Sequence, residues 1–344
     1  MQHRITKEGD LLDENGHLIE CGYATKLIKT YDRKKIKAGK YRIKEWDYYL
    51  VYNSKYAVAF TIDDNSYMGL DSFSLIDFTK QQETTKSFMK FITKGKKGFP
   101  ASSQTGNISV VDKKYSMAFV NNGKERVLKV TIKNFEKGKD LACEFVLTKE
   151  PKDSMVILTP FVEKKDHFYY NQKIVGFKAS GWVEIGNEKI VFDEDDTRGI
   201  LDWGRGVWTY KNTWYWGAGA GVVDGHEVGF NIGYGFGDTS SATENMLFYD
   251  GKAHKLEDVT FNIPKSSKGK DDFMSPWTFT SSDKRFEMKF TPVINRHSNA
   301  NVLVISSNQN QVFGKFSGKM ILNDGTVVKV KNFMGFAEKV VNKW

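Results

Sequence analysis

Cysteine and proline are scarce in this chain. Its two cysteines, Cys21 and Cys143, lie far apart, and neither belongs to a CxxC pair. That disfavours a disulfide scaffold, and two reduced thiols in a reducing compartment are expected. Only 6 prolines interrupt 344 residues, so few strands are barred from pairing. The 6 histidines show no i, i+2 or i, i+4 pairing, so no histidine metal centre is expected; no cofactor is expected either. No apolar run reaches the length of a membrane-spanning helix. The opening stretch MQHRITKEGDLLDENG has no apolar segment of the signal-peptide kind. Together these absences predict a soluble, cytoplasmic protein with no stable membrane insertion.

Aromatics are abundant: 25 Phe, 15 Tyr and 8 Trp, with 30 Gly. That mixture favours strands, tight turns and concave sites. The net charge is +9. Its basic clusters are short, comprising Arg33, Lys34, Lys35 and Lys37, then Lys94, Lys96 and Lys97. Elsewhere lysines alternate with apolar residues, as at Lys129, Thr131 and Lys133, which is the pattern of a strand's wet face. No zinc finger, RNP motif or helix-turn-helix accompanies them. A lysine-rich surface is therefore expected, and no nucleic acid partner.

Period-2 alternation dominates the chain, with hairpin signals at Asn122-Gly123, Gly186-Asn187, Asp224-Gly225, Asp250-Gly251 and Asp324-Gly325. The pattern predicts an all-β protein of two packed antiparallel β-barrels or curved β-sandwiches, with few short helices. One short helix is expected at 337–342. At 344 residues, two domains are the default. The polar stretch Lys149–Asp153 opens a boundary region, giving an N-terminal unit over 1–165 and a C-terminal unit over 166–344.

Four of the eight tryptophans fall between Trp203 and Trp216, and Asp202 and Arg205 bracket one of them. If Asp224-Gly225 makes a two-residue hairpin, Val223 opposes His226, Trp216 opposes Gly233, Ala218 opposes Asn231 and Ala220 opposes Gly229. One face then carries Trp214 and Trp216 beside glycines and alanines. That face is either a notch for an apolar or sugar ring or a place where glycine makes room for packed aromatics. The opposite face, with Val228, Phe230, Ile232 and Tyr234, reads as core.

Asp202 is read in a Gly-rich turn. Against apolar surface it would serve as a general acid; beside Arg205 it would be a base, an orienting acceptor or a structural pair. Glu244, next to Asn245, is the candidate second carboxylate, and Asp238 a weaker third. The acidic run 193–196 reads as a solvated loop. The glycines of GAGAG and GYGFG precede no helix and form no phosphate loop. No nucleophile elbow is present.

Several stretches resemble a bacterial family known as domain of unknown function 2804: GDLLDENGHLIECGYAT, IKEWDYYLVYN, KIVGFKASG, LDWGRGVWTYKNTWYWGAGAG and FNIGYGFGDTSSATENMLFYDGKAHKL. The likeness runs over nearly the whole chain. More distantly, Asp202-Trp203-Gly204 followed by Trp214-Tyr215-Trp216 resembles the carotenoid hydratase, AttH-like and tocopherol-cyclase-like group. That resemblance implies two lipocalin-like barrels and Asp202 as an acid. Arg205, Asn212, Asn231 and Glu244 depart from it toward a more polar ligand.

Three functions follow as expectations. The first is cofactor-independent hydration, cyclisation or hydrolysis of a small apolar or amphipathic molecule. Asp202, Glu244 and Arg205 would be catalytic. Trp203, Trp208, Tyr210, Asn212, Trp214, Trp216, Asn231, Tyr234 and Asn245 would bind the ligand. The second is a non-catalytic lipocalin-like binder. The third is a carbohydrate-processing hydrolase using Asp202 and Glu244.

Overall fold

Strands that alternate between a wet and a dry face close into curled sheets when the dry faces are aromatic enough to fill the interior. The computed structural model describes residues 2–302 and 305–343. Among them there is no α-helix, only a three-residue 3-10 turn at Arg33–Lys35. Two large antiparallel sheets carry the chain. A 13-stranded sheet uses strands from Gly22–Ala24 to Arg198–Val207. A 9-stranded sheet uses strands from Lys211–Val223 to Val327–Lys343. The all-β, two-barrel architecture is thus as the alternation dictates.

Three apolar fillings hold the molecule together. Phe60, Phe73, Phe145 and Trp203 sit inside the first curled sheet. Phe230, Trp277, Phe290 and Phe316 sit inside the second. Tyr48, Leu50, Trp216, Ala218, Phe313 and Phe336 join the outer face of one sheet to that of the other.

Two expectations need correction. The segment 337–342 is no helix; it lies in the strand Val327–Lys343, paired on one side with Lys211–Gly219 and on the other with Ser306–Ile321. Two-sided pairing in the sheet outweighs a short helical preference. Asp202 is not in a turn. It lies inside the strand Arg198–Val207, which is buried along its whole length and so shows no alternation to betray it. The sheet change falls at 208–210, downstream of the expected 165/166 boundary; the strand Lys164–Ile185 still pairs within the first sheet.

The Asp224-Gly225 hairpin has the expected register, with Trp216 opposite Gly233 and Ala218 opposite Asn231. Both turn residues have positive φ, 51° and 84°, as a type I′ turn requires.

Candidate functional site

Between the two sheets lies a cavity of about 520 Å³. Its floor begins on two neighbouring strands of the first sheet, Lys164–Ile185 and Arg198–Val207. Lys173 stands directly opposite Asp202, Asn171 opposite Gly204, and Tyr169 opposite Gly206. The glycines here are not turn residues. A Cβ on Gly204 would stand 2.0 Å from the Trp46 ring, so the missing side chain seats that indole. Trp46 in turn stacks on Tyr169 at 6.0 Å and meets Trp208 edge-on at 5.2 Å. Gly204→Ala is expected to displace Trp46 and to cost about 1–3 kcal/mol through overpacking. Chemical denaturation measures the loss, and an unchanged midpoint would refute the seating.

Asn171 Nδ2 donates to Asp202 Oδ1 at 2.6 Å and to the Trp203 carbonyl at 2.8 Å. Lys173 Nζ approaches Asp202 Oδ1 at 3.4 Å and Asn171 Oδ1 at 3.1 Å. The second sheet brings the rest. Glu244 Oε2 lies 3.6 Å from Lys173 Nζ, and the Trp216 ring lies 4.5 Å from the same ammonium. One buried lysine therefore bridges a carboxylate from each half of the chain.

Beside Trp216, the space that Gly233 leaves is taken by a side chain of the protein. A Cβ on Gly233 would lie 2.7 Å from Glu244 Oε1, so that glycine makes room for the carboxyl. Asn231 joins the parts: its Oδ1 accepts from Trp216 Nε1 at 2.7 Å and its Nδ2 donates to the Glu244 carbonyl at 2.8 Å.

A third carboxyl group, Glu338, comes from the C-terminal strand and stands opposite Trp216. Trp214 Nε1 donates to its Oε1 at 3.1 Å and Gln311 Nε2 to its Oε2 at 3.1 Å. Gln311 is held by Arg296, which donates to its Oε1 at 2.7 Å.

Burial pushes Glu338 up to about 7; the Trp214 N–H opposes the rise and the Asp202 charge adds to it. Burial also raises Glu244, against the pull of the Lys173 charge. Tyr48 is raised to about 12 by burial. Among the described residues, no three His, Cys, Asp or Glu side chains are placed to share a metal ion.

The structure brings Asp202, Glu244, Trp208, Trp214 and Trp216 together on the cavity. It places Arg205 elsewhere. Neighbouring residues of a strand face opposite ways, and Arg205 points with Trp203 into the first barrel. There it donates to Asp47 Oδ1 at 3.0 Å and to the Trp46 carbonyl at 2.7 Å, with its guanidinium 4.2 Å from the Trp203 ring. Lys173 holds the position beside Asp202 that the sequence reading gave to Arg205.

Asn231 and Asn245 lie behind the wall; Asn245 Oδ1 accepts from the Gly233 N–H at 2.7 Å. Tyr234 stacks on Tyr215 at 4.5 Å, away from the cavity. Asn212 donates to the Thr209 carbonyl at 2.6 Å, and Tyr210 is exposed. Lys173, Glu338, Tyr48, Tyr169 and Gln311 line the cavity and were not singled out from sequence. Lys173 lies in the KIVGFKASG stretch, which signalled the family but not a site.

Comparison with solved structures finds likenesses over almost the whole chain. An AttH-like protein from Nitrosomonas europaea is 13% identical with a TM-score of 0.53, covering 92% of this chain and 97% of that one. CghA is 9% identical with a TM-score of 0.51, covering 98% and 97%. Kievitone hydratase from Nectria haematococca is 9% identical with a TM-score of 0.46, covering 88% of each chain. The first two likenesses show a shared fold. Comparison with curated proteins finds no match. The sequence model described as "Domain of unknown function (DUF2804)" matches residues 2–344, and the chain belongs to that family.

Proposed function

We propose that this protein is a cofactor-independent acid/base enzyme acting on a small apolar or amphipathic molecule held between its two barrels. One observation carries the reading: Glu338, buried and held by Trp214 and Gln311, faces a Trp-lined cavity that also holds Asp202 and Glu244 on a shared lysine, and burial pushes its carboxyl up to about 7. A carboxyl group protonated near neutral pH is a competent proton donor.

Glu338 would transfer its proton to a double bond or a carbonyl or ether oxygen of the substrate. The faces of Trp214 and Trp216 would stabilise the positive charge that develops. Asp202 or Glu244 would then accept a proton, from an attacking water in a hydration or from a neighbouring carbon in a cyclisation. Lys173, Asn171 and Asn231 position these carboxyl groups. In a sugar hydrolase the carboxyl groups flank the scissile bond; here Asp202 and Glu244 both lean on Lys173, which favours a charge cluster at one side.

The test uses a small-molecule extract of host cells, incubated with protein and followed by mass spectrometry. Wild type is expected to convert a compound that it also retains. Glu338→Gln is expected to retain that compound but turn it over about 100-fold more slowly. Wild-type turnover should fall as pH rises through about 7, because Glu338 then loses its proton. A compound retained and left unchanged by wild type would make the protein a binder instead.

A further inference from the structure

Two basic clusters play no part in the chemistry above. Residues 33–44, RKKIKAGKYRIK, contain seven Lys or Arg and no acid. Residues 86–97, KSFMKFITKGKK, contain five Lys and no acid. Each alone reads as ordinary wet surface, but the fold brings them together. Lys94 Nζ lies 4.5 Å from the centroid of the Tyr41 ring. The Arg33 guanidinium packs against Gly95, where a Cβ would stand 2.6 Å from it. Ser66 joins the two, accepting from Arg33 at Oγ and from the Lys94 N–H at its carbonyl.

Part of this charge is neutralised, since Arg33, Lys35, Lys90 and Lys97 pair with Glu45, Asp10, Asp112 and Asp71. Lys34, Lys37, Lys40, Lys94 and Lys96 are exposed and make no ion pair among the described residues. Large apolar side chains stand among them. Tyr41 is 50% exposed, Met89 42%, Phe91 68% and Ile92 57%. Ile92 has φ 59°, a conformation rarely tolerated by a β-branched residue. Strain of that kind is retained where surrounding structure enforces a function. Met89 and Phe91 also line the cavity, so the patch is continuous with its mouth.

We propose that this face docks on an anionic lipid surface, with Phe91, Ile92 and Met89 entering the headgroup region and the lysines meeting lipid charge. Apolar side chains ringed by Lys are what a peripheral membrane site needs. Single-stranded nucleic acid would instead call for a run of stacking aromatics along a groove. Docked this way, the cavity mouth faces the bilayer, and an apolar ligand enters without crossing water. The surface does not depend on the acid/base reading, and its test reads lipid binding alone.

The experiment is co-sedimentation of the full chain with phosphatidylglycerol/phosphatidylcholine vesicles and with pure phosphatidylcholine vesicles. Binding is expected on the first and not the second, and should be lost when ionic strength rises from about 0.1 M to about 1 M. The double variants F91S/I92S and K94E/K96E should each bind about tenfold or more weakly. Both change exposed side chains, and unaltered thermal melts would confirm their folding. Equal binding to both vesicle types, or variants that sediment like wild type, would overturn the proposal. So would tighter binding of the same lysines to single-stranded RNA or to an acidic protein.

Discussion

Lys173→Met is expected to lower stability by about 3–5 kcal/mol at pH 8, the usual cost of removing one partner from a buried ion cluster. Lys173 is nearly buried, and its ammonium is the cation described beside both Asp202 and Glu244. Without it, carboxylates from both barrels are left in a low-dielectric seam with only neutral donors. The loss should depend on pH in a defined direction. Glu244 already titrates above 4.5 because it is buried, and Lys173 opposes that rise. In the variant its folded pKa climbs further. Above that value both folded and unfolded states are ionised, and the full penalty is present. As pH falls the native carboxyl takes up its proton first, and below 4.5 both states are protonated, so the Glu244 penalty disappears. Urea unfolding of wild type and variant at pH 8 and pH 5 measures this. An equal loss at both pH values would mean that Lys173 acts by packing rather than by charge.

Glu338→Gln should do the opposite and stabilise the protein above neutral pH. The folded pKa of Glu338 is raised from 4.5 to about 7. Below 4.5 it is protonated in both states and adds no pH dependence. Between 4.5 and about 7 the folded state holds a proton that the unfolded state has lost, so stability falls as pH rises. A shift of that size corresponds to about 3 kcal/mol, fully expressed above pH 7. The glutamine variant lacks this burden. Its advantage over wild type should therefore grow from near zero at pH 4 to about 3 kcal/mol at pH 8. Comparing the two proteins removes other groups from the profile, notably Asp63, also raised to about 7 by burial. If the difference stays flat with pH, Glu338 is not the strained acid proposed. Stabilisation together with lost turnover would mark a site held against folding stability for the sake of chemistry.

Much of the second barrel's hairpin is legible in the sequence, because a type I′ Asp-Gly turn fixes the register and period 2 then assigns every face. That is why Trp216 meets Gly233 as expected. The same rule has a limit in strands that are dry on both sides. GILDWGRGV lies in a strand buried on both faces, so no alternation marks it, and its glycines read as a turn. Taken as a strand, Asp202 and Arg205 could not share a face. Glu338 is hidden because 337–342 reads locally as a short helix, and only strand pairing on both sides, with Trp216 and with Gln311, gives it a face on the cavity. Lys173 was missed for a different reason. It lies 29 residues before Asp202, opposite it on a neighbouring strand, and touches Glu244 across the gap between sheets. Nothing local in KIVGFK distinguishes an inward lysine from a wet one.

The lysine bridge between barrels has a mechanical consequence. Its cation and Asp202 belong to one half of the molecule and Glu244 to the other, so sliding the sheets by even a fraction of a residue would retune the whole cluster at once. Each barrel could keep its own aromatic filling while the reactive protonation pattern was lost. Variants that loosen the seam far from the cavity should therefore surface first as altered acidity, well before either half unravels.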